Sequence, residues 1–282
     1  MAGLNPGVQK KSLLRGRKWP YHIGLTITAL VIAFPLLYGA LISTQTNAEI
    51  FSFQLTPGSA LADHFQSVWF DRNFSGAMAN SFQQAILVTG GKTVLSLLAG
   101  LAFVYFKFRF KWVVFFLVLI TLMMPTEVMI LAMFRQVAGY GWQDTTQAIV
   151  VPFLASATGA FLFRQHFANL PTDLLEAAQI DGASPVKFLT KILIPLSWNV
   201  IAAMFVIQFV YTWNMFLWPS LIIRDESQQV VQVALQTLTD VDGSLNYGPL
   251  VLAALIASIP PAIVFVVMQK PFMSGFAVGQ NK

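Results

Sequence analysis

The sequence predicts an all-α polytopic membrane protein, and three observations support this fold class: the composition, the apolar segments and the distribution of charge. Of the 282 residues, 56% are hydrophobic and only 10% are charged, whereas a soluble domain carries about 25% charged residues. Because so few charges cannot cover the surface of a soluble protein, most of that surface must face lipid. The sequence pI of about 9.5 does not indicate nucleic acid as a partner, since the basic residues lie in short segments between apolar runs.

Six apolar segments reach the length of roughly 20 residues that a membrane-spanning helix needs. They cover residues 22–42, 81–105, 112–133, 147–167, 196–217 and 247–268. The first is longer than the roughly 7–15 apolar residues of a secretory signal core, so we expect a retained anchor. The sequence therefore predicts a six-helix domain over residues 22–268.

The charges between the segments predict how the chain is oriented. Before the first segment lie Lys10, Lys11, Arg15, Arg17 and Lys18, and between the second and third lie Lys107, Arg109 and Lys111, in both places without an acidic residue. Acidic residues collect in the alternate connections, including the long outer loop expected over residues 43–80. The positive-inside rule then places both termini in the cytoplasm, with a basic tail over residues 1–21 and a second tail over 269–282.

The predicted cytoplasmic loop over residues 169–197 reads "NLPTDLLEAAQIDGASPVKFLTKILIPLS", which indicates two short helices that meet at a turn. Thr172 is placed to cap the first helix and Gly182 suits the left-handed conformation that ends it. Ser184 is placed to cap the second helix, Pro185 fits its first position, and Pro195 closes the segment. An amphipathic loop lying on the membrane surface would fit the same local chemistry.

The spacing within this loop favours a more specific interpretation. Glu176-Ala177-Ala178, then Gly182, Ile192 and Ile194-Pro195 resemble the EAA loop of bacterial ABC importer permeases, although Ile194 departs from the usual Leu-Pro ending. The stretches "FLFRQHFANLP" and "WNMFLWPSLII" resemble the carbohydrate-type, MalG-like permeases.

The resemblance implies a subunit of the bacterial cytoplasmic membrane that docks on a separate ATPase. Glu176 would make polar contacts there, Ala177 and Ala178 would allow close packing, Asp181 matches a frequent Asp-Gly pair, and Gly182 would form the turn. The implied partners are a second homologous permease, two ATP-binding subunits that hold ATP and Mg, and an extracytoplasmic solute-binding protein. The chain itself would need no cofactor and no metal.

Two ionisable side chains, Lys92 and Glu127, fall within predicted spans, where charge is costly. At about 1.5 Å per residue along straight helices, both lie roughly 20 Å from the cytoplasmic ends of their spans. An ion pair between them is one interpretation, and a positive field of Lys92 for an anionic solute is the other. Trp213 and Asn214 would add a stacking face and an amide suited to a polyol, although both also fit the aromatic belt near the outer end of a span.

The stretch Gly90-Gly91-Lys92-Thr93 matches the end of a phosphate-binding loop, G-x-x-x-x-G-K-[ST]. Ile86 stands where the first glycine of that pattern belongs, and no strand–loop–helix cradle can form inside a membrane span. We therefore interpret the two glycines as places where a neighbouring helix approaches closely.

Four stretches resemble the permeases of glycerol-3-phosphate importers in particular: "GGKTVLSLLAG", "TLMMPTEVMI", "LASATGAFLFRQHF" and "EAAQIDGASPVKF". The resemblance implies sn-glycerol-3-phosphate as the solute, with a neutral sugar or oligosaccharide as the alternative. A secondary transporter that uses Lys92 and Glu127 as an ion relay is a second alternative, but neither it nor a passive channel requires the EAA spacing. An enzyme is not indicated, because His22, His64 and His166 are scattered, and we expect them to be interfacial or solvated.

Overall fold

The structure is a computed structural model that describes residues 19–171, 173–238 and 246–277. Within those ranges the regular elements are all helical. The α-helices are α1 Trp19–Ile42, α2 Asn47–Phe51, α3 Leu61–Gln66, α4 Phe74–Tyr105, α5 Lys111–Thr121, α6 Thr126–Gly139, α7 Thr146–Val150, α8 Ala157–Ala168, α9 Asp173–Ile180, α10 Pro185–Phe188, α11 Ile194–Leu196, α12 Trp198–Trp213, α13 Leu217–Ile222, α14 Val231–Thr237 and α15 Tyr247–Ala277. The basic residues from Lys10 to Lys18 and the predicted cap Thr172 lie outside the described residues.

The long and the bent helices account for the six predicted spans. Three helices, α1, α4 and α15, are each long and apolar enough to cross a membrane. Three further spans pass the same test only as bent pairs: α5 with α6, Thr146–Phe153 with α8, and Pro185–Leu196 with α12. The all-α polytopic fold class is confirmed, but half of the spans are not the straight helices that the sequence predicts.

The third span departs most from the prediction of one helix over residues 112–133. The helix breaks after Thr121 and resumes at Thr126, and its axis turns by 100°. Pro125 precedes the second piece with an extended backbone, φ −63° and ψ 135°. A proline has no N–H to continue the first helix and disfavours helical backbone in the residue before it, so Pro125 favours a break at this point. Glu127 consequently lies in the first turn of a new helix, so the depth estimated along a straight helix does not apply to it.

Helix α4 is the centre of the bundle and packs against both α8 and α12. Two of its glycines make the contact with the α8 span close. A Cβ on Gly100 would lie 2.6 Å from the Cβ of Phe163, and a Cβ on Gly91 would collide with Leu154, whereas Gly90 has open space around it. The close neighbour of Gly91 is only the Leu154 side chain, at the bend of the neighbouring span, and the close approach of a helix backbone occurs at Gly100.

The connection over residues 43–80 is not a simple polar loop. It contains α2, α3 and the start of α4, and the buried Gln45 side chain holds it by donating to the carbonyl oxygens of Gln54 at 2.7 Å and Thr56 at 2.8 Å. His64 is also buried here, with its Nδ1 2.9 Å from the carbonyl oxygen of Ser43. The expectation that the histidines are interfacial or solvated is therefore wrong for His64.

Candidate functional site

The predicted coupling helix is α9, and its end is built as the local sequence predicts. Gly182 adopts φ +67°, a left-handed conformation that glycine reaches without a Cβ penalty. The Gly182 N–H donates to the carbonyl oxygen of Gln179 at 3.0 Å, and the Ala183 N–H donates to that of Ala178 at 2.8 Å. These two bonds form a Schellman motif, which satisfies carbonyl groups that the helix end leaves open.

The two sides of α9 have different environments. Glu176, Ala177 and Asp181 are exposed, and so is Ile180, whose side chain is 87% exposed. Ala178, in contrast, is only 4% exposed and packs in a core cluster of this chain that includes Phe188. The methyl group of Ala178 therefore packs inside the chain, whereas Ala177 lies on the exposed side where close packing of a partner is predicted.

The second half of the loop leads from α9 into the next span. The Ser184 side chain accepts from the Lys187 N–H at 3.3 Å, and Pro185 opens the helix, as predicted. The helical turns continue through Pro195 to Leu196, with a π-helical stretch at Leu189–Leu193. The chain then turns by 78° at Ser197 into α12. Pro195 does not itself end the segment.

A hydrogen bond fixes this bend to the neighbouring span. The Ser197 hydroxyl is buried and lies 2.9 Å from Nε2 of His166, which belongs to α8. His166 is half-buried. Neither residue was singled out for this role from the sequence, because they lie far apart along the chain.

Lys92 is buried where α4 meets α12, and its partner is an amide. The Lys92 side chain is 7% exposed, and its Nζ donates to Oε1 of Gln208 at 3.0 Å. The ammonium also lies 5.3 Å from the centroid of the Tyr211 ring, a cation–π arrangement. In the described part of the chain Lys92 forms no ion pair with Glu127 or with another carboxylate.

Glu127 and Asn214 share a cavity of about 380 Å³ beside Tyr211. The cavity wall is formed by the start of α6 and by the end of α12 with the residues that follow it. The Asn214 amide donates to the carbonyl oxygen of Val210 at 2.8 Å, and its oxygen accepts from Gln232 at 3.2 Å. Two of the predicted pathway residues are therefore brought together, while Lys92 lies behind the Tyr211 ring.

Trp213 does not reach this cavity. Its ring is buried in the core between α12 and α15, and its Nε1–H donates to the carbonyl oxygen of Ala257 at 3.1 Å. The stacking face predicted for Trp213 is therefore turned towards the core and away from this cavity. Tyr211 is the aromatic residue of α12 that lines the cavity, and Gln208 lies one helical turn before it.

Gln208 and Tyr211 are the site residues that sequence reasoning missed, although a signal for them exists. An amide within an apolar span is costly, as a lysine is, because a polar group there loses its contact with water. The spacing of three residues places Gln208 and Tyr211 on one face of a helix.

A bundle of straight and bent apolar helices defines the class as a multi-pass, all-α membrane protein. The sequence profile described as "Binding-protein-dependent transport system inner membrane component" matches residues 92–274, and the chain belongs to this family. It is a multi-pass inner-membrane protein and a transport subunit without an ATPase site of its own.

Its relatives agree with that assignment, and a solved structure shares its fold. The sn-glycerol-3-phosphate transport system permease protein UgpE of Pectobacterium atrosepticum is 36% identical over 263 residues, which cover 90% of this chain and 94% of the relative. The protein of that name from Rhizobium meliloti is 37% identical, with the same coverage. The fold is similar to a chain of a bacterial ABC transporter involved in the import of the acidic polysaccharide alginate, with a TM-score of 0.79, 22% identity, and coverage of 90% of this chain and 95% of that one.

Proposed function

We propose that this chain is one of two permease subunits of an ATP-driven importer for sn-glycerol-3-phosphate, and that α9 is its docking helix for an ATPase subunit. The observation that carries the docking role is the two-sided environment of α9. Its exposed side presents Glu176, Ala177 and Ile180, while Ala178 fixes the other side to the core of the permease. A partner that moves α9 therefore moves the spans to which it is attached.

The remaining subunits follow from this role. A second homologous permease completes the translocation pathway, two ATP-binding subunits hold ATP and Mg, and an extracytoplasmic protein delivers the solute. The 169–197 loop and both termini face the cytoplasm, in keeping with the charge distribution. The choice of glycerol-3-phosphate is supported by relatives of that name at 36% and 37% identity over nearly the whole chain.

Reconstitution in proteoliposomes tests the proposal. The permease pair, the candidate ATPase and the candidate solute-binding protein are combined, and ATP hydrolysis and uptake are measured with the binding protein loaded with glycerol-3-phosphate or with a neutral sugar. We expect only the glycerol-3-phosphate form to stimulate hydrolysis and uptake. Stimulation by the neutral sugar alone would reassign the solute, and uptake driven by an ion gradient without ATP would contradict the importer function.

A further inference from the structure

The Lys92 ammonium is a buried cation that is hydrogen-bonded but not neutralised. Its one hydrogen-bond acceptor in the described residues is the Gln208 amide, and its other close neighbour is the face of the Tyr211 ring. An amide and an aromatic ring stabilise a cation, but neither supplies a negative charge. A buried charge of this kind is costly and marks a place where an anion would bind favourably.

Tyr211 connects this cation to the cavity that contains Glu127 and Asn214. One face of its ring is next to Nζ of Lys92, and the residue also lines the cavity, with 51% of its side chain exposed. Tyr211 is therefore the residue that contacts the ammonium and also lines the cavity. The cavity volume of about 380 Å³ lies within the usual range of about 300–1,000 Å³ for small-molecule sites.

The α6 wall of the cavity has a different chemistry. Glu127 is exposed there, and its carboxylate is an acceptor for hydroxyl groups. Asn214, three residues after Tyr211 at the end of α12, adds an amide oxygen as a second acceptor. A carboxylate repels a second anion, so an anionic group cannot favourably occupy this side. The two sides therefore select a solute whose charge is confined to one end.

We propose that this cavity is a bipolar binding site for a small polyol with one anionic group. The anionic group lies at Lys92 and Gln208 after Tyr211 moves aside, and the hydroxyl groups lie at Glu127 and Asn214. Gln208 holds the ammonium while the site is empty. This inference rests on the proposed importer function and adds the location of the site, its polarity and two residues that recognise the solute.

The Gln208→Glu variant gives the sharpest test, because it places a carboxylate at the position of an amide oxygen that is 3.0 Å from Nζ. An internal ion pair then replaces the solute as the partner of Lys92, and we expect uptake of glycerol-3-phosphate by the reconstituted complex to fall about tenfold or more. The Lys92→Met variant should lose uptake to a similar extent. The double variant Lys92→Gln/Gln208→Lys keeps one ammonium and one amide in the same pair, so it should recover part of the uptake that Lys92→Met loses.

Assembly and lipid composition separate the remaining explanations. All variants are compared after purification as intact complexes, so that loss of assembly is scored separately from loss of uptake. Vesicles of phosphatidylcholine alone are compared with vesicles that contain phosphatidylglycerol, whose headgroup has the same glycerol phosphate chemistry. Dependence on Lys92 only in phosphatidylglycerol vesicles would assign the site to a lipid and overturn its role in solute binding.

Different results would contradict the binding site and the proposed importer function. Absence of glycerol-3-phosphate uptake by the unaltered complex would contradict the importer assignment. Normal uptake by that complex together with unchanged uptake by Gln208→Glu would overturn the bipolar site alone. If the Gln208→Glu complex does not assemble, the double variant decides, because failure to recover any uptake in its assembled complex would also overturn the site.

Discussion

Nε2 of His166 and the hydroxyl oxygen of Ser197 lie 2.9 Å apart and join two spans at the point where the chain turns by 78°. Ser197 follows the loop that contains α9, and it precedes the helix that carries Gln208. The bend therefore lies in the chain between α9, the proposed docking helix, and the helix that carries Gln208.

Replacing His166 by Phe should weaken this link while keeping an aromatic ring beside Phe167. The buried Ser197 hydroxyl then loses its partner, which costs about 1–3 kcal/mol, and we expect fewer solute molecules imported per ATP hydrolysed. The measurement is the ratio of uptake to hydrolysis in proteoliposomes. Ser197→Ala removes the other partner, and the double variant should be no worse than the more severe single variant. Additive losses would show that the two side chains act independently.

Reversing the charge of Glu176 should uncouple the permease from its ATPase. Glu176→Lys alters only an exposed side chain, so we expect normal membrane insertion but strongly reduced uptake. Glu176→Gln removes the charge without reversing it and should cause a smaller loss. The measurement is uptake alongside co-purification of the ATPase subunit, and full uptake by the Lys variant would refute the docking role.

Substitution of two glycines of α4, one tightly packed and one in open space, tests how this helix packs against α8. Gly100→Ala should lower the stability of the purified protein by about 1–3 kcal/mol, because the new methyl group meets the Cβ and backbone of Phe163. Gly90→Ala adds the same methyl group in open space, and alanine is the better helix former by up to about 1 kcal/mol, so its thermal midpoint should be unchanged or raised. Equal destabilisation of both variants would contradict the packing described for α4 and α8.

Asp144 should join the connection between α6 and α7 to the segment that follows α13, and this contact should depend on pH. Its carboxylate accepts from the backbone N–H groups of Asp225 and Arg224, and these hydrogen bonds lower the pKa of Asp144 below its usual value of 3.8. Because the pKa of Asp144 is lower in the folded state than in the unfolded state, its contribution to stability is complete above the unfolded-state pKa. That contribution is lost as the pH falls through the folded-state pKa. The protease sensitivity of the segment after Arg224 should therefore be constant from pH 7 to about pH 5 and rise at lower pH.

The variants of Asp144 separate titration from hydrogen bonding. Asp144→Asn keeps an acceptor oxygen but does not titrate, so its protection should not change over the acidic range. Asp144→Ala should be sensitive already at neutral pH. An unchanged acidic transition in the Ala variant would show that another group causes it.

The orientation of the chain can be tested directly because the sequence contains no cysteine. Ile180→Cys and Glu226→Cys each introduce a single thiol at an exposed position. With a membrane-impermeant reagent, we expect Glu226→Cys to be labelled in intact spheroplasts and Ile180→Cys only in inverted vesicles. Ala202→Cys, at a fully buried position, is the control that should remain unlabelled from either side. Labelling of both exposed positions from one side would contradict the predicted topology.

The parts of the fold that follow from local chemistry could be predicted, and those that depend on distant contacts could not. Gly182, Ser184 and Pro185 act on their immediate neighbours, so the turn after α9 is evident from the sequence. The break before Thr126 is only hinted at by Pro125, since hydropathy does not distinguish a bent pair of helices from a straight one. Ala178 and Trp213 have the expected residue types, but tertiary packing turns both towards the core.

The recognition of Lys92 illustrates the same limit for the site. A lysine in an apolar span is conspicuous, whereas its partner, Gln208, lies 116 residues later in the chain. The membrane depth estimated along straight helices placed Glu127 level with Lys92 and so favoured it as the partner. The 100° turn at Pro125 invalidates that estimate.

The burial of Ala178 has a consequence for engineering hybrid transporters. Because this methyl group packs in a core cluster with Phe188 and Leu101, α9, the proposed docking helix, is not structurally independent of the rest of the chain. If α9 alone were exchanged between two permeases, its buried side would meet core side chains that it does not fit. A functional hybrid would need to exchange α9 together with the side chains beneath it. Recognition of an ATPase would then depend on a packed region of the permease and not on a short sequence motif alone.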